Sequence, residues 1–221
     1  SPKVVAGKGM TSYAWELRVQ RLVNGVVTGG ADAVTVNLRC VAETICKVPA
    51  TVTIPAGDSQ AAVPITGVDV GSTQIEATAA GATAATPMPV DVVAPQVVFG
   101  SLDGNRTTAS VRDDFNIWLD VPGATYGSSN SGYTRPVQPM TVALSLPEQS
   151  PAGVVGGIYD GAGVLVSQTV LSSWRTSTLY VAQPSQAGTY RVGASIAGVT
   201  SGQSAVQTVT AAEQGLRLSQ A

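Results

Sequence analysis

Histidine, the side chain used most often for acid–base catalysis near neutral pH, does not occur among the 221 residues of this chain. Without it neither a Ser-His-Asp triad nor a Cys-His pair can form. The sequence also has no Gly-x-Ser-x-Gly elbow, P-loop or dinucleotide-binding fingerprint. The 14 Asp and Glu residues leave a carboxylate pair open in principle, but none lies in an aromatic-rich segment. We therefore predict a protein that is not an enzyme and that needs no cofactor.

Two cysteines, Cys40 and Cys46, are the most reactive side chains of the sequence. Their C-x5-C spacing does not match a zinc-binding pair, and no histidine is present to complete such a site. Either both are free, buried thiols or they form a local disulfide that closes a loop between two strands. We favour the disulfide, which would indicate an oxidising compartment.

Carboxylate and amide side chains gather between residues 103 and 120, just after the junction that we predict between two domains. There they could hold a calcium ion between the domains. The weak metal candidates are Asp103, Asn105, Asp113 and Asp114, with Asp120 close by in the sequence. The alternative is that the first two flank a hairpin turn and the others are solvated. No D-x-D-x-D-G loop is present, so we predict that no metal is bound.

Aromatic side chains could build a platform for a sugar or a protein partner. Trp15 and Trp118 lie in alternating segments, for which we expect positions in the core. Trp174 lies in a polar turn beside Arg175, and this pair is the first choice for contact residues. The alternative is a tryptophan that simply packs on the surface.

A second candidate contact surface is the segment around Tyr126 and Tyr133, which lies within Tyr126–Pro139. Its Tyr, Ser, Gly and Asn residues are typical of adaptable binding loops. The alternative is a flexible linker, and in either case the sequence predicts a long surface loop.

Charge and hydropathy exclude two classes of partner. Only 12% of the residues are charged and the net charge is −2, so no basic patch is available for nucleic acid. The longest apolar runs have about five residues, whereas a membrane-spanning helix needs about 20. We expect neither a nucleic-acid partner nor a membrane span.

Apolar and polar residues alternate in many short segments that are separated by turn residues. Examples are Val34–Leu38, Thr73–Ala79 and Phe115–Val121. Alternation with a period of two gives each strand one buried and one solvated face, which predicts an all-β sandwich. The Ala94-Pro95 pair reads as a stiff connector. We therefore predict one β-sandwich domain over residues 1–93, a second over 94–212, and a C-terminal tail over 213–221.

An internal repeat supports the two-domain prediction. Thr51–Gly81 aligns with Thr169–Gly198 with one residue deleted, and Val34–Leu38 aligns with Val142–Leu146. Each copy has a strand, a short turn, a second strand, a glycine-led turn and a final alternating strand. Identity between the copies is low, so the likeness is mainly one of topology.

Residues 34–81 carry the motifs V-P-A-T-V-T-I-P-A-G-D-S and G-V-D-V-G-S-T-Q-I-E-A. They resemble the bacterial immunoglobulin-like repeats of large surface and secreted proteins. The resemblance is weaker over residues 141–198. It implies two tandem immunoglobulin-like sandwiches in an exported protein, without catalytic residues.

Three functions follow from these expectations. The first is a structural or adhesive segment of a bacterial cell-surface or extracellular protein, whose partners are neighbouring immunoglobulin-like domains. The second is a self-assembling fibre subunit that adds a terminal segment, Ser1–Lys8 or Ala211–Ala221, to the sheet of an identical subunit. The third is a carbohydrate-binding module that binds a host or surface glycan or protein through exposed aromatic side chains.

Overall fold

The computed structural model describes residues 3–12, 17–125 and 134–213, and every regular element in these ranges is a β-strand. The described residues therefore contain no helix that could cross a membrane. The strands of the first half are β1 (Val4–Gly7), β2 (Met10–Ser12), β3 (Arg18–Gln20), β4 (Leu22–Val23), β5 (Val26–Val27), β6 (Val34–Cys40), β7 (Cys46–Lys47), β8 (Thr51–Ile54), β9 (Gln60–Ala62), β10 (Ile65–Gly67), β11 (Gly71–Ala79) and β12 (Met88–Val93).

The strands of the second half confirm the all-β prediction. They are β13 (Gln96–Gly100), β14 (Asn105–Thr107), β15 (Asp113–Asp120), β16 (Thr134–Pro136), β17 (Met140–Ser145), β18 (Gln149–Ser150), β19 (Ile158–Asp160), β20 (Gln168–Leu171), β21 (Leu179–Val181), β22 (Gly188–Tyr190), β23 (Gly193–Ser195), β24 (Gly202–Gln203) and β25 (Gln207–Thr210).

One layer of the first half is a five-stranded sheet in the order β1-β12-β11-β6-β8. Strand β6 shows why these residues form it: Val36, Leu38 and Cys40 are buried, whereas the residues between them are exposed. This alternation places the apolar side chains on a single face of the pleated sheet. Strand β1 runs parallel to β12, and the other neighbours in the sheet are antiparallel.

The opposite layer consists of the four-stranded sheet β16-β2-β10-β7 and the β3–β9 ribbon. Its Val63 and Ile65 belong to the same buried cluster as Val36, Leu38 and Ile75 of the five-stranded sheet. Two sheets that share one apolar core in this way form a β-sandwich.

The second half repeats the strand pairing of the first. Strand β14 runs parallel to β25, as β1 does to β12. Strand β17 lies between β20 and β23, as β6 lies between β8 and β11. The segments that align in the sequence thus occupy equivalent positions in their sheets. The number of domains and the boundary near residue 94 stay predictions.

Strand β16 belongs by sequence to the second half but completes a sheet of the first. The order β16-β2-β10-β7 matches the order β13-β15-β21-β19 of the second half, strand for strand. In this comparison β16 lies on the side of β2 that corresponds to the side of β15 on which β13 lies. The first half therefore receives from the second half the strand that covers the edge of β2.

Apolar contacts accompany this pairing. Val5 and Met10 are buried in the cluster that contains the core of the second half, not in the cluster of the first. The backbone at Gly7 lies so close to Val121 that a Cβ atom at position 7 would stand 2.7 Å from Val121 Cγ2. The two halves thus share buried surface as well as a strand pair.

The prediction of a surface loop over Tyr126–Pro139 is wrong for residues 134–136, which form a strand in which Thr134 is buried. Residues 137–139 are exposed and irregular, as predicted. The Val137 amide donates a hydrogen bond of 2.9 Å to the Gly9 carbonyl oxygen. In an antiparallel ladder the next pair, Met10 and Pro136, is then not hydrogen-bonded. Proline fits this position because no amide donor is needed there.

We predict that replacing Met10→Ala destabilises the junction by about 2–5 kcal/mol, because it removes a fully buried side chain from the second-half core. Urea unfolding monitored by circular dichroism measures this loss. Met88→Ala is the matched control, since Met88 is only partly buried and packs in the first-half cluster. A smaller loss for Met10→Ala than for Met88→Ala would contradict the shared core.

Candidate functional site

The predicted disulfide between Cys40 and Cys46 is confirmed, with the two Cα atoms 6.0 Å apart. Both residues are buried. Cys40 ends β6 in the five-stranded sheet, whereas Cys46 begins β7 in the opposite layer. The bond therefore connects the two layers of the sandwich where the chain crosses from one to the other.

The acidic candidates for a metal site do not form one cluster. Asp113 is buried, and its carboxylate accepts hydrogen bonds from the Asp103 amide at 3.3 Å. Asp114 faces the other side of β15 and pairs with Arg112 at 3.0 Å. In the described ranges no three His, Cys, Asp or Glu side chains lie close enough to share a metal ion.

Strand direction also separates these residues from the junction between the halves. Asp113 and Asp120 are the two ends of β15, which spans roughly 23 Å at about 3.3 Å per residue. Val121, which contacts the first half, follows the Asp120 end. Asp103 and Asp113 therefore lie at the end of the second half that faces away from the junction, and not between the two halves.

Asp113 instead belongs to a buried polar network with Arg106 and Tyr190. Arg106 Nη1 donates a hydrogen bond of 3.0 Å to the Tyr190 hydroxyl oxygen. Both Arg106 and Tyr190 influence the buried carboxyl group of Asp113. Arg106 also donates to the carbonyl oxygens of Val111 and Ala182. The network joins β14, β15 and β22, so its groups satisfy one another at one end of the core.

Burial is the largest influence on the carboxyl group of Asp113, and it raises the pKa above the ordinary value of 3.8. The Asp103 amide and the positive charge of Arg106 act in the opposite direction and offset part of this increase. Burial likewise raises the pKa of Tyr190.

Trp174 and Arg175 lie together in the turn before β21. Trp174 is half-buried, and the Arg175 guanidinium carbon lies 4.0 Å above the centre of its ring. The turn is attached to β15, since the Thr176 amide donates to the Ile117 carbonyl oxygen at 2.9 Å. The arginine therefore covers one face of the indole that a ligand would use.

The other aromatic candidates fall into two groups. Trp118 is half-buried on the face of β15 opposite Phe115 and Ile117, so the expectation of a core position is wrong for it. Its ring lies over Gly100, where a Cβ atom would overlap Trp118 Cζ3. Trp15, Tyr126 and Tyr133 lie outside the described residues.

An apolar hairpin is exposed in the described part of the first half. Strands β4 and β5 form an isolated hairpin around Asn24-Gly25, whose φ angles of 51° and 79° suit this tight turn. The side chains of the hairpin are 58% (Leu22), 51% (Val23), 65% (Val26) and 43% (Val27) exposed. The signal in the sequence is the run L-V-N-G-V-V, which has apolar residues on both faces of the ribbon.

A groove of about 850 Å³ runs beside this hairpin. Its apolar lining includes Val19, Val36, Ala77 and Met88, and Arg21 lies at its rim near the hairpin. Exposed residues 80–86, rich in alanine and threonine, form another part of the wall. The hairpin and the groove together give this end of the first half an uncovered apolar surface, which is typical of a contact site.

No protein-family profile matches the chain, and no curated protein sequence matches it. Several solved structures are similar to it. Domains 5–6 of the S-layer protein SbsC are 17% identical, cover 96% of this chain and 95% of that chain, and give a TM-score of 0.34. The D0-D1 domain of intimin is 15% identical, with 94% and 95% covered and a TM-score of 0.34. The adhesin InvE of Yersinia pseudotuberculosis is 10% identical, with 93% and 56% covered and a TM-score of 0.34. At these identities and TM-scores, the similarity gives no information about function.

Removal of the disulfide tests its structural role. We predict that the double variant Cys40→Ala/Cys46→Ala loses roughly 2 kcal/mol of unfolding free energy, since a short closed loop restricts the unfolded chain modestly. Guanidinium unfolding of the variant, beside oxidised and reduced wild-type protein, measures the effect. Equal stability of the oxidised and reduced protein would contradict it.

The raised pKa of Asp113 predicts a specific pH dependence. A group whose pKa is higher in the folded state binds its proton more tightly there, so its stabilisation is greatest at low pH and declines as the pH rises through the folded pKa. We expect the unfolding free energy of the wild type, relative to Asp113→Asn, to fall as the pH is raised from below 3.8 to 7. Asp114→Asn, on the exposed face, is the control. A difference that grows with pH would refute the assignment.

Proposed function

We propose that this chain is a non-catalytic structural segment of an exported bacterial protein, in which its two halves act as one stiff spacer. The observation that carries the proposal is the placement of β16 in the sheet of the first half. Strand pairing demands a fixed register and direction, so it restricts hinge motion between the halves far more than a single connector would.

The pairing of the outer strands also suits a segment that bears tension. In each half a strand near its beginning lies parallel to a strand at its end, β1 with β12 and β14 with β25. Force applied along the chain would load the backbone hydrogen bonds of each parallel pair in shear, so that several must break together. A spacer between a surface and its contact site experiences tension of this kind.

Export is supported by the disulfide, because stable structural disulfides are typical of oxidising compartments. Both cysteines of the chain take part in it, and both are buried. The resemblance to bacterial immunoglobulin-like repeats favours a cell-surface or extracellular location, with neighbouring domains of the same kind as partners.

A carbohydrate-binding role is the weaker alternative. Arg175 covers one face of Trp174, and Tyr159 and Tyr180 stack on each other with ring centres 5.3 Å apart. Arg112 lies over the Tyr180 ring as well. Among the described aromatic side chains, Trp174, Tyr159 and Tyr180 thus each have a ring face occupied by a side chain of the protein itself.

Stiffness can be tested by pulsed electron spin resonance between one spin label in each half. Exposed residues in the strands β8 and β17 provide the sites, through Thr53→Cys and Ser145→Cys. We expect a narrow distance distribution in the parent. Val137→Pro, which removes the amide that donates to Gly9, should broaden it, whereas Val137→Ala, which keeps that amide, should not.

A broad distribution in the parent would mean that the halves move independently, and the stiff-spacer proposal would then fail. Identical distributions for Val137→Pro and Val137→Ala would show that the strand pair does not provide the stiffness.

A further inference from the structure

The apolar hairpin and the strand that crosses the junction occupy the same position in their respective halves. Strand β16 lies in the chain between β15 and β17, and the β4–β5 hairpin lies between β3 and β6. Strands β6 and β17 are equivalent by their pairing. Strand β3 pairs with β9, the strand that follows β8, and β15 pairs with β21, the strand that follows β20, so β3 and β15 are equivalent as well. Each half thus extends the same connection beyond its own sandwich.

In the second half this connection reaches the preceding sandwich and covers the edge of β2. In the first half it points away from the second half. Gly7 and Val93 mark the junction end of their sheet, whereas Ala79 pairs with Val36 near the opposite end, beside the hairpin. The hairpin therefore has no sandwich to contact within the described part of this chain.

The hairpin nevertheless has the apolar composition that is typical of a buried strand pair. Its four apolar side chains are about half or more exposed, and in the described structure its strands pair only with each other. An isolated two-stranded ribbon gains little stability in water. Burying four aliphatic side chains on another molecule would contribute favourable free energy, since each removes apolar area from water.

The far end of the second half offers the matching surface. The beginning of β15, Asp113–Phe115, is equivalent to β2, because both pair with the equivalent strands β21 and β10. Strand β13 covers β15 only from Asn116 to Asp120, so no described strand pairs with residues 113–115 on that side. Beside this edge lies Val111, which is 75% exposed.

We propose that the β4–β5 hairpin binds the end of the second half of another copy of this chain, at the edge formed by Asp113–Phe115 and Val111. The contact repeats between molecules the arrangement that β16 and β2 make within one. It joins two different surfaces at opposite ends, so the association is head-to-tail and continues as an open chain.

This contact differs from addition of a terminal segment, because it uses an internal hairpin. It does not depend on the stiff-spacer proposal: the halves could be stiffly joined without associating, or associate without being stiffly joined. Measurements of molecular mass test this contact alone.

Sedimentation equilibrium of the whole chain, from micromolar to about millimolar concentration, is the experiment. We expect the average mass of the parent to rise with concentration beyond that of a dimer. Val26→Lys in the hairpin and Val111→Lys at the opposite end should each weaken self-association about tenfold or more, because a lysine charge must then be desolvated in the contact. Val170→Lys is the matched control, an exposed strand valine outside both surfaces.

Mixing the two variants tests the head-to-tail geometry. Val26→Lys keeps an intact far end and Val111→Lys keeps an intact hairpin, so an equimolar mixture should form a 1:1 complex at concentrations where each variant alone is monomeric. A parent that remains monomeric throughout, variants that associate like Val170→Lys, or a mixture that stays monomeric while the parent associates would each overturn the proposal.

Discussion

The antiparallel pairing of β2 with β16 is the interaction on which the arrangement of the two halves depends. An edge strand exposes unpaired backbone donors and acceptors, which proteins cover or disguise. Here the cover for the first half comes from a segment more than a hundred residues later in the chain. Once β16 is in register, Val5 and Met10 are placed against the second-half core, and the halves are joined by packing and hydrogen bonding at once.

Much of the fold could be predicted from local pattern. Alternation identified β6 and β15, because each has one apolar face against a core. The C-x5-C spacing predicted the disulfide for a similar reason, since all the information lies within seven residues. Strand β16 could not be found this way. Its Thr-Arg-Pro sequence is typical of a loop, and it becomes a strand only because a distant edge is free to pair with it.

The candidate site shows the same limit. Asp103, Asp113 and Asp120 are near one another in sequence, but an extended strand carries Asp120 to the opposite end of the second half. Asp113 is buried near Arg106 and Tyr190, which lie in other strands, and this burial depends on packing between strands far apart in the chain. The exposure of the β4–β5 hairpin depends on the lack of a covering layer among the described residues, which no local pattern reports.

Hydrogen exchange of the Val137 amide, followed by nuclear magnetic resonance, tests the central claim most directly. This amide donates to Gly9 across the junction, while its own side chain is largely exposed. If β16 is a strand of the first-half sheet, the amide exchanges slowly, at a rate close to those of the Ser12 and Thr66 amides of the same sheet. Exchange at the rate of an unstructured peptide would show that the strand is not paired and that the two halves are not joined in this way.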